Sequence, residues 1–189
     1  YEQGLWAETL DRWLKEGVPS NLPPAPLAGV EYTIIPETID IYRYMNILYP
    51  CYLPIYYRPL PNQSRILEDD GNVRTELDPW GTKIRMRVKG ASLPQYLDWP
   101  VKSTSDWEAY NELFKGPVEE RLPKNWPAVA KRIREQTHGI VTLHTIGMFA
   151  FPREVMGLEP MLMAFYDNPA LIERMLDDRL EFYFRLYEK

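Results

Sequence analysis

A single cysteine, Cys51, and two histidines, His138 and His144, are spread over 189 residues. One thiol cannot close an intrachain disulfide, which excludes a disulfide-stapled scaffold and makes a reducing, cytoplasmic setting the default. The three residues fall on different predicted elements, so their spacing is not that of a metal constellation. No uninterrupted apolar run approaches the ~20 residues that a bilayer-spanning helix needs, and no signal-peptide pattern opens the chain. Charge of either sign is not in large excess: 22 Lys and Arg against 27 Asp and Glu give a net charge of −5. Without a basic face, nucleic acid is not an expected partner, and neither is a membrane. Internal repeats and low-complexity tracts are also missing.

Proline and aromatic residues are plentiful. Eighteen prolines gather between the periodic segments, and the 13% aromatic content argues for ordered loops rather than disorder. The length suits one domain with a sizeable core.

The chain is organised around Gly139–Gly157, GIVTLHTIGMFAFPREVMG. The β-branched run Ile140–Ile146 reads as a strand buried on both faces, bounded by Gly139 and Gly147. Period 2 places Val141, Leu143 and Thr145 on one face and Ile140, Thr142, His144 and Ile146 on the other. A Gly turn and a helix follow, with Arg153 expected in that helix's first turn. Open α/β sheets and (β/α) barrels place their chemistry at such a strand end. The bland alternative is a core histidine satisfied by a backbone partner.

Elsewhere, local signals place further elements. Ala7–Glu16 is helical with Leu10, Trp13 and Leu14 on one face and Gly17 as a stop. Ile39–Leu48 is a weak amphipathic helix, and Leu53–Tyr57 reads as a strand. Three short strands follow between 65 and 88. They are joined by the turn at Asp69-Asp70-Gly71-Asn72 and by the Pro turn at Asp78-Pro79-Trp80-Gly81. Lys83, Arg85 and Arg87 line one side of the third strand. That row could hold an anion, but a solvated face is the preferred reading. Ser105-Asp106-Trp107-Glu108 reads as a capping box opening a helix to about Phe114. Asn125–Gln136 is a helix with Ala130 and Ile133 inward. Pro152–Phe165 is helical in two pieces, divided near Gly157 and Pro160. Asn168 caps the last helix, Pro169 opens it, and Ile172, Met175, Leu176, Tyr183, Leu186 and Tyr187 form its buried stripe.

Several stretches occur together in a telling order: Gly4–Trp13 (GLWAETLDRW), Glu16–Pro19, Glu68–Gly71, Trp80-Gly81, Ser92–Val101 (SLPQYLDWPV), Asp106-Trp107-Glu108, Arg153–Glu159 (REVMGLE) and Phe165–Pro169 (FYDNP). This series resembles the uroporphyrinogen decarboxylase superfamily, and more narrowly its decarboxylase-like and corrinoid methyltransferase-like branch. The resemblance covers nearly the whole chain. It implies an α/β fold of the (β/α)8 TIM-barrel type with an inserted antiparallel hairpin or meander at about 65–88. Tyr1–Trp6 would end the first barrel strand. A whole barrel takes about 250 residues. Residues 1–189 are therefore expected to be a single partial domain, an incomplete N-terminal half-barrel, with a homodimer or a complementary chain segment covering its open side.

The resemblance also frames the chemistry. Decarboxylases of the family hold tetrapyrrole carboxylates with arginines after the first strand and an aspartate on the next. Here Glu2-Gln3-Gly4-Leu5-Trp6 is acidic instead, and acid there repels carboxylates. Tyr52–Arg58 contains no aspartate, and the family's tyrosine after the central strand aligns with Arg153. These departures argue against tetrapyrrole decarboxylation. The methyltransferase branch uses zinc to activate a thiol toward a methylated corrinoid. Its His and Cys ligands lie in the family's second half, so this segment carries no cofactor. The resemblance implies zinc and a corrinoid, or a corrinoid protein, for the whole protein. The reading is a zinc/corrinoid-type methyltransferase acting on a small methylated compound. The alternatives are uroporphyrinogen decarboxylase itself and a non-catalytic binding half that needs its complement. His144 is the expected proton donor or acceptor near pH 7. Arg153, placed where a cation gains nothing from the helix dipole, is expected to meet a ligand anion or a carboxylate such as Glu2, Glu154 or Glu159. Gln3, Trp6, Tyr57 and Met148 are expected to line the same pocket.

Overall fold

The computed structural model describes residues 7–22, 27, 30–31, 41–46, 51–59, 64–89, 93–136 and 140–188. Two compact units divide the chain, Tyr1–Tyr56 with Glu119–His144, and Tyr57–Val118 with Thr145–Lys189. Both α and β elements are present. Among the described residues there is a two-stranded parallel sheet and a four-stranded antiparallel one, with no closed barrel.

In the first unit, helix α1 spans Ala7–Glu16 as its periodicity predicts. Leu10, Trp13 and Leu14 are half-buried while Asp11, Arg12 and Lys15 are exposed. Gly17 stops it at φ +115°, and the Val18 amide reaches back to the Trp13 carbonyl at 3.0 Å. This six-to-one bond is the Schellman ending that a left-handed glycine permits. Of the predicted helix at 39–48, one turn is described, α2 at Ile41–Tyr44. Strands β1 (Cys51–Tyr52) and β6 (Val141–Thr142) pair in parallel, Cys51 opposite Val141. Helix α4 (Trp126–Gln136) supplies Ile133 to a small core with Leu27 and Cys51.

Two expectations fail here. The strand placed at Leu53–Tyr57 is instead Cys51–Tyr52, with irregular backbone after it. Pro54 has no amide to donate to a ladder, and the Ile55 amide turns back onto the Leu53 carbonyl at 2.8 Å. The run Ile140–Ile146 is not a strand buried on both faces. Only Val141–Thr142 is strand, and Ile140, Val141 and Leu143 are 63%, 46% and 47% exposed. The predicted period 2 does hold after Ile140: Thr142, His144 and Ile146 are half-buried, and Val141, Leu143 and Thr145 are exposed. Among the described residues only β1 pairs with β6, so one strand neighbour is available to cover it.

The second unit holds the meander β2 (Arg65–Asp69), β3 (Val73–Leu77), β4 (Lys83–Arg87) and β5 (Gln95–Asp98), antiparallel in that order. The antiparallel excursion expected at 65–88 is present, with β5 added at its edge. Its first turn is held by Asp69, which accepts from the Gly71 amide, and by Asp70, which accepts from the Asn72 and Val73 amides. Arg85 and Arg87 are exposed and Lys83 is half-buried, the solvated face that was preferred.

Helix α3 (Thr104–Asn111) is capped two residues earlier than predicted. Ser103 is the N-cap, and its hydroxyl accepts from the Asp106 amide. Asp106 returns the favour by accepting from the Ser103 hydroxyl and the Lys102 amide. The capping box is therefore Ser103 to Asp106, with Asp in the place of Glu. A 3-10 turn at Glu112–Phe114 extends the helix to Phe114. Helices α5 (Ala150–Met156), α6 (Leu158–Asp167) and α7 (Pro169–Tyr187) follow, the break falling at Gly157 rather than Pro160. Pro160 is tolerated because it lies in the first turn of α6, where its missing amide has no helical partner to lose. Asn168 caps α7 by accepting from the Leu171 amide, with Pro169 first in the helix, both as predicted. The predicted stripe is buried at Ile172, Met175, Tyr183 and Leu186 and half-buried at Leu176 and Tyr187. Leu171, Phe182 and Arg179 join it.

Candidate functional site

The second unit gathers the chain segments that come after both parallel strands. Tyr57 and Arg58 lie beyond β1, and Ile146 and Met148 lie beyond β6. Helix α7 ties both segments down from one side. The Arg179 guanidinium donates through Nη2 to the Tyr57 carbonyl at 2.6 Å, and the Tyr183 hydroxyl donates to the Ile146 carbonyl at 2.9 Å. Arg179 and Tyr183 are one helical turn apart, so one face of α7 addresses both segments.

Arg179 is 1% exposed, although it is charged. Five aromatic rings surround it, with the guanidinium carbon 4.5 Å from the Tyr183 centroid, 4.6 Å from Phe151, 4.7 Å from Phe114 and Phe182, and 5.9 Å from Trp80. Negative ring faces attract a cation, which offsets part of its lost hydration. Burial nevertheless pulls its pKa below the usual arginine value, against the opposing pull of Tyr183. The same burial pushes the Tyr183 hydroxyl upward, and that of Tyr187 as well. Both phenols are held in the neutral, donating form at physiological pH. Arg58, half-buried, lies 6.0 Å from the Tyr57 ring and 5.9 Å from Trp80. Two guanidinium groups therefore approach one indole.

A second polar group sits between the meander and α5. Asp78 begins the β3–β4 turn, and its Oδ1 accepts from the Trp80 and Thr82 amides at 2.9 Å each. The Thr82 hydroxyl donates to the Glu154 carbonyl at 2.8 Å, which fastens the turn to α5. Burial raises the Asp78 carboxyl above its usual range; the Thr82 and Trp80 amides oppose this, the Glu154 charge adds to it and Arg58 opposes it. A carboxyl whose folded pKa is raised favours folding most below its unfolded value and loses that contribution as pH rises through the folded value. Asp78→Asn keeps the Oδ1 acceptor and discards the charge. Its melting temperature is expected to equal or exceed that of the parent at pH 7, with the difference closing below pH ~4. A thermal melt at both pH values checks this, and an Asn variant that is less stable at pH 7 contradicts it.

The expected site residues are distributed as follows. Gln3 and Trp6 lie outside the described residues. His144 belongs to the first unit, half-buried, its ring edge-on to Tyr52 at 5.4 Å and 84°. Tyr57, Met148 and Arg153 belong to the second unit, Tyr57 half-buried and Met148 38% exposed. Arg153 pairs with Glu154 at 2.9 Å, one of the carboxylates named for it. Its place on the helix is corrected, however. Helix α5 begins at Ala150, with the Phe151 amide bonded to the Gly147 carbonyl at 2.9 Å, so Arg153 is in the last turn. There a cation gains from the dipole. The argument for a ligand anion at Arg153 loses its premise.

Sequence reasoning gave Arg179 no place, and it read Asp78 and Trp80 as turn residues and Tyr183 as part of a buried stripe, none of them as site residues. One signal was present: Arg179 follows Met175 by four residues and precedes Phe182 and Leu186 by three and seven, so it occupies the apolar stripe of α7. Among the described residues no group of three or more His, Cys, Asp or Glu side chains could hold a metal ion. Cys51 is buried and unpaired with another thiol. Among the described residues no helix is long and apolar enough to cross a membrane.

Comparison of the chain with protein-family models, with curated proteins and with solved structures finds no match.

Proposed function

We propose that this chain forms part of a barrel enzyme of the uroporphyrinogen decarboxylase superfamily, on its methyltransferase-like branch, with a small methylated compound and a corrinoid as its two substrates. One observation carries the reading: the parallel pair β1–β6 flanks an antiparallel meander in sequence, and the segments leaving both strands are held by α7. Barrel enzymes assemble their sites from the segments that leave the carboxyl ends of parallel strands. Parallel pairing of strands this far apart in sequence also needs long crossovers of the kind this chain has.

The corrinoid supplies the methyl acceptor or donor. The chain's own residues contribute positioning. The Arg58 guanidinium, set against Tyr57 and Trp80, offers bidentate donors to a substrate carboxylate or phosphate. Tyr57 and Trp80 offer apolar faces to a planar group.

The test is direct. The protein carrying this chain is mixed with methylated corrinoid and a thiol, and the visible spectrum of the corrinoid is followed. Thiol-dependent loss of the methylated form supports the reading. Release of carbon dioxide from a uroporphyrinogen with no effect on the corrinoid replaces it with decarboxylation. In the active protein, Tyr57→Ala and Arg58→Ala are each expected to lower turnover at least tenfold with melting temperatures within a few degrees of the parent, since both side chains are only half-buried. Parent-like turnover in either variant removes that residue from the site.

A further inference from the structure

The aromatic rings offset only part of what burial costs the Arg179 charge. Its Nε and Nη1 atoms are buried with no hydrogen-bond partner among the described residues; Nη2 donates to the Tyr57 carbonyl, and the Tyr183 hydroxyl is a further side-chain partner. Burying a charge without an anionic partner is costly, and apolar replacements of such groups are often neutral or stabilising. Met is shorter, but it is flexible and apolar and suits aromatic surroundings without that cost. Orphaned buried donors call for an explanation. The bond to Tyr57 provides one. Tyr57 and Arg58 have no strand ladder to hold them, because β1 ends at Tyr52. Their local backbone is irregular, and Pro59 contributes no amide.

We infer that Arg179 is a positioning residue: it fixes the Tyr57 carbonyl, and with it the Tyr57 and Arg58 side chains, in the geometry that meets the substrate. The aromatic rings serve this role by holding the guanidinium rigidly. Phe114, Phe151, Phe182 and Tyr183 lie 4.5–4.7 Å from it, leaving little freedom to swing away from the carbonyl. The substrate role of Tyr57 and Arg58 rests on the function proposed above; the hold on their backbone does not.

Hydrogen exchange read by mass spectrometry separates the two. In Arg179→Met the amides of Tyr57 and Arg58 are expected to exchange at least tenfold faster, while those of α5 and α7 keep their protection. In Arg179→Lys, which retains a cation and a donor, the Tyr57–Arg58 exchange is expected to return to within about threefold of the parent. A residue that only fills the core predicts the reverse order, because Lys buries a charge that Met does not. The substrate KM is expected to rise at least tenfold in the Met variant, with kcat changed less, and to recover in the Lys variant. Unchanged Tyr57–Arg58 exchange in Arg179→Met overturns the proposal. So does exchange in Arg179→Lys as fast as in Arg179→Met, or uniform loss of protection through α5 and α7 in both. The expected exchange pattern in a protein that transfers no methyl group keeps the positioning role and discards the substrate reading.

Discussion

Phe151→Ala is expected to lower stability by about 3–5 kcal/mol, the range for truncating a fully buried phenylalanine. Phe151 is 0% exposed. Its ring lies 5.8 Å from Trp107, 6.2 Å from Phe114 and 6.2 Å from Trp80, mostly edge-on or tilted. Those geometries suit ring quadrupoles and add to area burial. Truncation also removes one wall of the Arg179 cage, which leaves the buried guanidinium less compensated. For a chain of this size about 3 °C of melting temperature accompanies each kcal/mol. Urea unfolding with an unchanged slope measures the loss. A cost below about 1 kcal/mol would mean that the aromatic cluster collapses into the gap and is not the rigid core described.

Gly157→Ala is the second large effect. Gly157 sits at φ +83° and ψ 156°, a region open essentially to glycine alone, where another residue costs about 1–3 kcal/mol. A Cβ there would also come within 2.9 Å of two Trp99 ring atoms, Cδ2 and Cε2. The residue is pinned from both sides: its amide donates to the Arg153 carbonyl at 2.9 Å, and its carbonyl accepts from the Met161 amide at 3.1 Å. It therefore ends α5 and begins α6 at once, and backbone relaxation would break one helix end or the other. Destabilisation of at least about 2 kcal/mol is expected from the backbone strain and the contact together. Gly147→Ala is the control. Nothing lies within 4 Å of its Cβ position, and its φ is not positive, so its effect should stay within about 1 kcal/mol. Equal effects at the two glycines would show that the Trp99 contact and the positive φ carry no weight.

Local signals were legible wherever the deciding partner lies within a few residues. The bounds of α1, its glycine stop, the aspartate-held first turn of the meander, and the Asn168-Pro169 opening of α7 all follow from side chains that bond backbone nearby. The start of α3 was misread by two residues because Ser103 and Ser105 both offer a hydroxyl, and only backbone angles choose between them. The start of α5 was misread because Pro152 suggests a first position, whereas Gly147 had already accepted the first helical bond. That shift of two residues, in a helix of seven, put Arg153 in the last turn and reversed its electrostatic meaning.

The sequence by itself determined the alternation at Val141–Ile146, the antiparallel excursion at 65–88 and the apolar stripe of α7, since each is a periodicity or a turn written in consecutive residues. Only the tertiary structure decided which face of Val141–Ile146 is covered, that β1 is two residues long, and that Arg179 lies among five rings with its donor on Tyr57. Those outcomes depend on groups far apart in the chain, 122 residues for Arg179 and Tyr57. Periodicity tells which residues share a face; burial and the cost of a charge depend on what packs against that face.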